Sequence, residues 1–302
     1  MKIKKATGRE KYNKKEVLTA VLFVLPALAM WLYWFLYPAV KSMRLSFFEY
    51  SYINPDKAKF IGFENFNRLF HDSAFIAALS HSFIMVAFVV ALLTILSFII
   101  AVLLQGKIKG KTFFRTAYYM PYVISSVAVS IFFMYFFIKD GPGTTLFTLF
   151  GFKNTTWFTS TQYALLLVIL IYVWQQLGFY MILYISGLQS ISGELYEAAK
   201  IDGANKLQSV RYLTVPLVKQ TTYLVVTLGM INSFQIFDQI AAISKQSPLG
   251  SPAGSTSTIV TYLYQQSFSY MDMGYGSAVA LVLFLIIFLL SLVRMLITRE
   301  EN

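Results

Sequence analysis

The sequence contains no cysteine, which removes disulfides, thiolate zinc sites and covalent haem attachment and leaves the redox compartment unread. Histidine is nearly as scarce. His71 and His81 lie too far apart for the i, i+4 spacing of a zinc helix, so structural or interfacial roles are expected and no metal site. No G-x-S-x-G elbow occurs, and no two carboxylates fall close together within one apolar run, so protease and glycosidase chemistry lack their groups. Gly110-Lys111-Thr112 resembles the end of a phosphate-binding loop, but Gln105 stands where the first glycine is needed and no strand precedes it. Charge is sparse as well: 13% of the 302 residues are charged and 57% are hydrophobic, against about a quarter charged in soluble domains. A chain of this composition cannot present an ordinary soluble surface and is read as an integral membrane protein.

What it has instead is a series of long apolar runs. The first, at about 17–38, is long enough as a helix to cross a hydrocarbon core of roughly 30 Å at about 1.5 Å per residue. Five more follow, at about 74–105, 117–138, 163–189, 221–243 and 273–296. None alternates polar and apolar residues as a barrel strand would. The predicted fold is all-α, a polytopic membrane bundle of six transmembrane helices over 17–302 behind a basic tail at 1–16. A secretory signal is the other reading of the first run, but the run exceeds a signal h-region and no A-x-A site follows, so retention is expected.

The net charge of +11 raises nucleic acid as a partner, and the placement of the cations argues against it. One set of loops collects Lys2 to Lys15, Lys107 to Arg115, Lys200, Lys206, Arg211, Lys219, Arg294 and Arg299; the other has fewer, among them Lys41, Arg68, Lys139 and Lys245. By the positive-inside rule both termini and the loop around Glu197 are expected in the cytoplasm. The basic tail is expected to meet anionic lipid.

That loop, 192–217, is polar and rich in alanine. Ser192 is a good N-cap and Glu194 suits the positive end of a helix running to Ile201. Asp202 and Gly203 break it, Asp202 then capping a second helix over 205–213 that Pro216 closes. Ala198 and Ala199 offer a close-approach surface, and Glu197 and Arg211 offer charges for pairing within or beyond the loop. Composition leaves two readings open, a docking knob and an ordinary solvated loop.

The string Glu197-Ala198-Ala199, then Asp202-Gly203-Ala204, then Val215-Pro216-Leu217 resembles the EAA loop of permease subunits in binding-protein-dependent ABC importers. The preceding WQQLGFYMILYISGLQSIS is similar to the helix leading into that loop, and MGYGSAVALVLFLIIFLLSLVRM resembles the last span of the carbohydrate-importer permeases related to the maltose permease pair. The basic tail and F-I-G-F-E-N-F at 60–66 resemble the first, MalF-type, member; Ser192 departs from the proline often found there. The resemblance implies the type I importer permease fold in a bacterial plasma membrane. It also implies a second homologous permease, two ABC ATPase subunits that use ATP and magnesium, and an extracellular solute-binding protein. This chain then binds no cofactor and has no ATPase site of its own, and Glu197, Ala198, Ala199, Asp202, Gly203, Ala204, Arg211 and Pro216 are its coupling residues.

For the solute path the fifth run stands out, since Asn232, Ser233, Gln235, Asp238 and Gln239 are costly in lipid and should face protein or water. Polar filling of the bundle competes equally. The resemblance points to residues near Gly178 and Met181 on the fourth run and to Met230 and Ser233, next to Phe234, on the fifth; with Asn232 and Gln235 these offer amides, hydroxyls and aromatics suited to a sugar. The alternative is an autonomous channel or ion-coupled transporter with Asp238 as its proton or cation site.

Overall fold

The structure is a computed structural model that describes residues 14–106, 109–244 and 248–300. Of the expected basic tail, 1–13 lie outside the described residues, as do Lys107 and Lys245. Helix α1 runs over 14–45 and contains a π turn at Leu32–Leu36, where the Tyr37 N–H reaches Leu32 O instead of the carbonyl four residues back. The cause is Pro38, which has no N–H to give and whose ring crowds the preceding turn, so the helix widens by one residue and continues. The first span was expected to end near residue 38; with the proline absorbed in this way it reaches Leu45.

A short antiparallel pair, β1 (Phe48–Glu49) with β2 (Lys59–Phe60), places Phe48 opposite Phe60 and leads to α2 (Glu64–His71). Helix α3 (Ser73–Gln105) starts at Asp72, whose carboxylate accepts from the N–H groups of Ala74 at 2.9 Å and Phe75 at 3.3 Å. Two of the four orphan donors of the helix start are thereby satisfied.

A second span differs from expectation more sharply. The run at 117–138 is two helices, α4 (Lys111–Val123) and α5 (Ser126–Phe136), bent by 98°. Ile124 and Ser125 take extended backbone angles between them, beside Pro121 and the Ser125-Ser126 pair, residue types that kink helices. A helix broken at membrane depth must find partners for its freed backbone groups. The buried amide of Gln175 supplies one, donating to Ile124 O at 2.9 Å and to Ser126 Oγ at 3.3 Å.

After α6 (Pro142–Thr148), α7 (Ala164–Gln189) forms the hub: 56% of its most apolar window is buried, against none for α1, whose flank is left for lipid or another subunit. Leu167, Ile171, Met181 and Tyr184 of α7 pack with Met85, Val89 and Leu93 of α3 in the main core. Beyond α7 come α8 (Gly193–Ile201), α9 over 206–217, α10 (Lys219–Phe234), α11 (Asp238–Ser244), α12 (Ile259–Tyr264) and α13 (Met273–Glu300). The run at 221–243 is also interrupted, at Gln235 to Phe237, where Gln235 N–H and Ile236 N–H turn back to Asn232 O and Ser233 O and end α10. Among the described residues five helical spans are long and apolar enough to cross a membrane, and a sixth if the bent α4–α5 pair is one span.

Candidate coupling loop and translocation cavity

At one end of the bundle, α8 and α9 form a knob. Ser192 Oγ accepts from Glu194 N–H at 3.3 Å and starts α8. Its end is a Schellman motif: Ala204 N–H bonds Ala199 O at 2.9 Å and Gly203 N–H bonds Lys200 O at 3.1 Å. The motif needs a left-handed residue, and Gly203 supplies it at φ +81°. Asp202 was expected to cap the second helix. It ends the first, and Asn205 is the cap, in a reciprocal pair in which Asn205 Oδ1 accepts from Gln208 N–H and Gln208 Oε1 from Asn205 N–H. The aspartate is spent in the Schellman turn, three residues too early to reach the free donors.

Pro216 does not close the unit either. A second π turn at Val210–Thr214 absorbs it, Val215 N–H reaching Val210 O, and the chain passes through Val218 into α10. Tyr37-Pro38 and Val215-Pro216 thus follow π turns of the same form. Tyr196 Oη and Thr214 Oγ1, 3.1 Å apart, tie the two helices of the knob together. Glu197 and Arg211 form no ion pair among the described residues; the Arg211 guanidinium lies 5.8 Å from the Tyr212 ring centroid.

Glu197, Ala198, Asp202, Gly203, Arg211 and Pro216 are exposed, and Ala199 and Ala204 are half-buried. The sequence reading passed over the apolar residues among them. Ile201 is 86% exposed and Leu207 77%, on either side of the Gly203 turn, with Tyr212 open beside them. Their signal was present as large apolar residues in a stretch otherwise polar, where burial within the chain has nothing to offer them.

The second feature is a cavity of about 340 Å³ between α4–α5, α7 and the break after α10. Asn232, Gln235 and Asp238 line it, three residues apart on one exposed side, and face Tyr122, Ser126, Tyr172 and Gln176. Asn232 Nδ2 donates to Tyr180 Oη at 3.3 Å. Gln239, also in the wall, donates from Nε2 to Gln175 Oε1 at 2.9 Å, so a chain of amides runs from the α10–α11 break through α7 to the α4–α5 bend. Asp238 sits in the first turn of α11, where a carboxylate suits the helix dipole, which accounts for its type without ion coupling.

The other expected pathway residues lie elsewhere. Gly178 is buried against α4, where an added Cβ would stand 2.0 Å from Tyr118 O. Met181 is in the main core and Phe234 in the second one, edge-on to Phe83 at 5.3 Å. Ser233 is buried with its hydroxyl unpaired, and Met230 faces a groove beside Val90 and Ile95. Five of the seven expected residues therefore pack helices, and Asn232 and Gln235 line the cavity. The missed lining residues, Tyr122, Tyr172 and Gln176, carried the same signal as Asn232, a polar group within an apolar run.

Residues 109–300 match the family described as binding-protein-dependent transport system inner membrane component. Over 95% of its length the chain is 30% identical to the arabinooligosaccharides transport system permease protein AraP of Halalkalibacterium halodurans, covering 89% of that protein. It is 31% identical to the lactose transport system permease protein LacF of Rhizobium radiobacter, over 98% of this chain and 99% of that one. In fold it is similar to a chain in the crystal structure of a bacterial ABC transporter involved in the import of the acidic polysaccharide alginate, with TM-score 0.81, 20% identity and coverage of 95% and 96%. With its several apolar spans and this match over most of its length, the chain is a multi-pass membrane protein that belongs to the binding-protein-dependent transport system inner membrane components.

Proposed function

We propose that the chain is one permease subunit of an ATP-driven importer for a sugar or oligosaccharide. It forms half of the translocation pathway and couples it to cytoplasmic ATPases through the loop at 192–217. The observation that carries this reading is the knob, rigid inside and apolar outside: a Schellman turn, a capping pair and the Tyr196–Thr214 contact hold Ile201 and Leu207 in the open. Burial of such a side chain is worth about 1.5–3 kcal/mol, a strong reason for a partner to cover them. Two ABC ATPase subunits that bind ATP and magnesium, a second homologous permease and an external solute-binding protein complete the assembly. The relatives named for arabinooligosaccharides and lactose support a carbohydrate cargo.

In this reading Glu197, Ala198, Ala199, Asp202, Gly203, Ala204 and Arg211 meet the ATPase, and Pro216 through its π turn sets the angle of the second helix. ATP-driven closure of the ATPases moves the knob and through it α7 and α10, a rigid-body switch biased by nucleotide. Asn232 and Gln235, with Tyr122, Tyr172 and Gln176, present amides and hydroxyls beside aromatic faces, which suits a neutral, hydroxyl-rich solute. Both termini lie in the cytoplasm, on the side of the knob.

The test is purification of the tagged chain from native membranes in mild detergent, with assays of ATP hydrolysis and solute uptake. Recovery of a second permease and an ATPase is expected, with Gly203→Asp abolishing uptake while insertion stays normal. Undiminished uptake in that variant would remove the coupling role, and uptake that persists without ATP would point instead to an autonomous transporter.

A further inference from the structure

At the end of the bundle opposite the knob lies a larger cavity, of about 640 Å³, between the start of α3, the loop at 248–258 and α12. It shares no lining residue with the cavity at Asn232. Gln266 is the central observation. It is 92% buried by its residual exposure of 8%, it lines the cavity, and its side-chain amide has no hydrogen-bond partner among the described residues. A side chain this buried normally spends its amide on a partner within the fold.

The backbone that presents this amide is held firmly. Gln265–Ser269 is a π turn, closed by Tyr270 N–H to Gln265 O at 2.9 Å, and Asp272 N–H bonds Gln266 O at 2.9 Å. In a regular helix adjacent residues face about 100° apart. Here Gln265 and Gln266 both line the cavity, and π turns recur at functional sites. Gln265 Nε2 is used on Leu249 O at 2.9 Å, which leaves its carbonyl oxygen as an acceptor.

The remaining wall selects for a neutral ligand. His81 Nδ1 gives its proton to Ser257 O at 3.1 Å, leaving Nε2 as an acceptor. The one carboxylate, Asp72, has its donors already: Ala74 and Phe75 N–H on Oδ1, and the hydroxyls of Tyr262 and Tyr275 on Oδ2. Among the described lining residues there is no lysine or arginine to attract an anion. Tyr270, 66% exposed at the rim, offers a ring face. Amide donors and acceptors next to an aromatic face match vicinal hydroxyls on a sugar ring.

We propose that this cavity is a second carbohydrate subsite, held by Gln266, Gln265 and His81 with Tyr270 as the stacking face, where cargo pauses before it reaches Asn232. The assignment rests on the carbohydrate reading of the preceding section. Because the chain has no cysteine, single cysteines report on each cavity without interference. The full chain with its co-purified subunits is placed in nanodiscs as Ala77→Cys, on the wall of this cavity, or as Phe237→Cys, on the wall of the cavity at Asn232. Alkylation by N-ethylmaleimide is timed with and without lactose or arabinotriose, with sorbitol as an open-chain control.

The expected result is about tenfold slower alkylation at both positions at a sugar concentration ten times the Kd. Adding Gln266→Leu, which removes an amide without a partner among the described residues and should not harm folding, is expected to restore the rate at Ala77→Cys and leave protection at Phe237→Cys intact. Protection at Phe237→Cys alone overturns the second subsite and leaves the carbohydrate reading standing; protection at neither overturns both. Protection of Ala77→Cys that needs a solute-binding protein and no sugar also overturns the subsite, in favour of a protein docking surface.

Discussion

At the scale of single residues, two glycines show opposite uses of a missing side chain. Gly178 is a contact glycine: the Tyr118 carbonyl occupies the place a Cβ would take, so α7 and α4 approach to backbone contact. Gly178→Ala is expected to cost about 1–3 kcal/mol by overpacking, measured as a lower thermal unfolding midpoint in detergent. Gly203 has open space around it and is needed for its positive φ. Gly203→Ala should cost about 1–2 kcal/mol confined to the knob, leaving the unfolding midpoint of the bundle unchanged while amide exchange over 199–205 speeds up. Asp72 belongs at this scale too. Partial burial alone would raise its carboxyl, but hydrogen bonds from Tyr262, Tyr275, Ala74 and Phe75 outweigh that and hold it below its ordinary value of 3.8. A depressed folded pKa stabilises fully above 3.8 and loses its effect as pH falls through the lower, folded value. The stability gap between the native chain and Asp72→Asn should therefore be constant near neutral pH and shrink only below about 3.8, as read from unfolding midpoints across a pH series.

At the scale of elements, the breaks in the helices matter more than their lengths. The α4–α5 bend and the α10–α11 break lie on either side of Gln175, which bonds Ile124 O at one and Gln239 at the other. Interhelical side-chain bonds of this kind in membranes average about 0.6 kcal/mol and reach about 1.7. A double-mutant cycle of Gln175→Ala with Gln239→Ala is expected to give coupling in that range, toward the upper end since both residues are buried; additive losses would show that the chain of amides does not act as one. The apolar tip of the knob behaves differently. Leu207→Ala should leave the unfolding midpoint of the chain unchanged and weaken retention of the proposed ATPase partner about tenfold, assayed by co-purification.

At the scale of the whole molecule, the knob and the Gln266 cavity lie at opposite ends of α3: Gln105 Nε2 meets Leu188 O beside the knob, and Asp72 and His81 mark the other end. In intact cells a membrane-impermeant maleimide should label Ala253→Cys, and Gly203→Cys only after permeabilisation. The reverse pattern would invert the topology read from the lysines and arginines. The open flank of α1 over 18–36 also belongs to this scale, since no described residue covers it.

Much of this was legible in residue order because it depends on neighbours along the chain. The apolar runs, the Gly203 break, the Ser192 cap and the EAA string are local, and local chemistry suffices for them. Even there Asp202 and Pro216 misled, because a Schellman turn and a π turn each reassign a residue according to bonds three to five positions away. Which polar residues meet was decided only by the fold. Asn232 and Gln235 face the cavity while Ser233 and Phe234 face the core, although all four stood alike as pathway candidates in the sequence. Gln266 lies in a segment that held no motif, and only the closure of α12 against α3 and α13 leaves its amide turned to an empty space. Sequence by itself determined where the chain is apolar and where it can turn, because those follow from side-chain chemistry and spacing. Only the tertiary structure decided which polar groups are satisfied and which are left for a ligand, because hydrogen bonding inside a bundle is settled between helices distant in sequence.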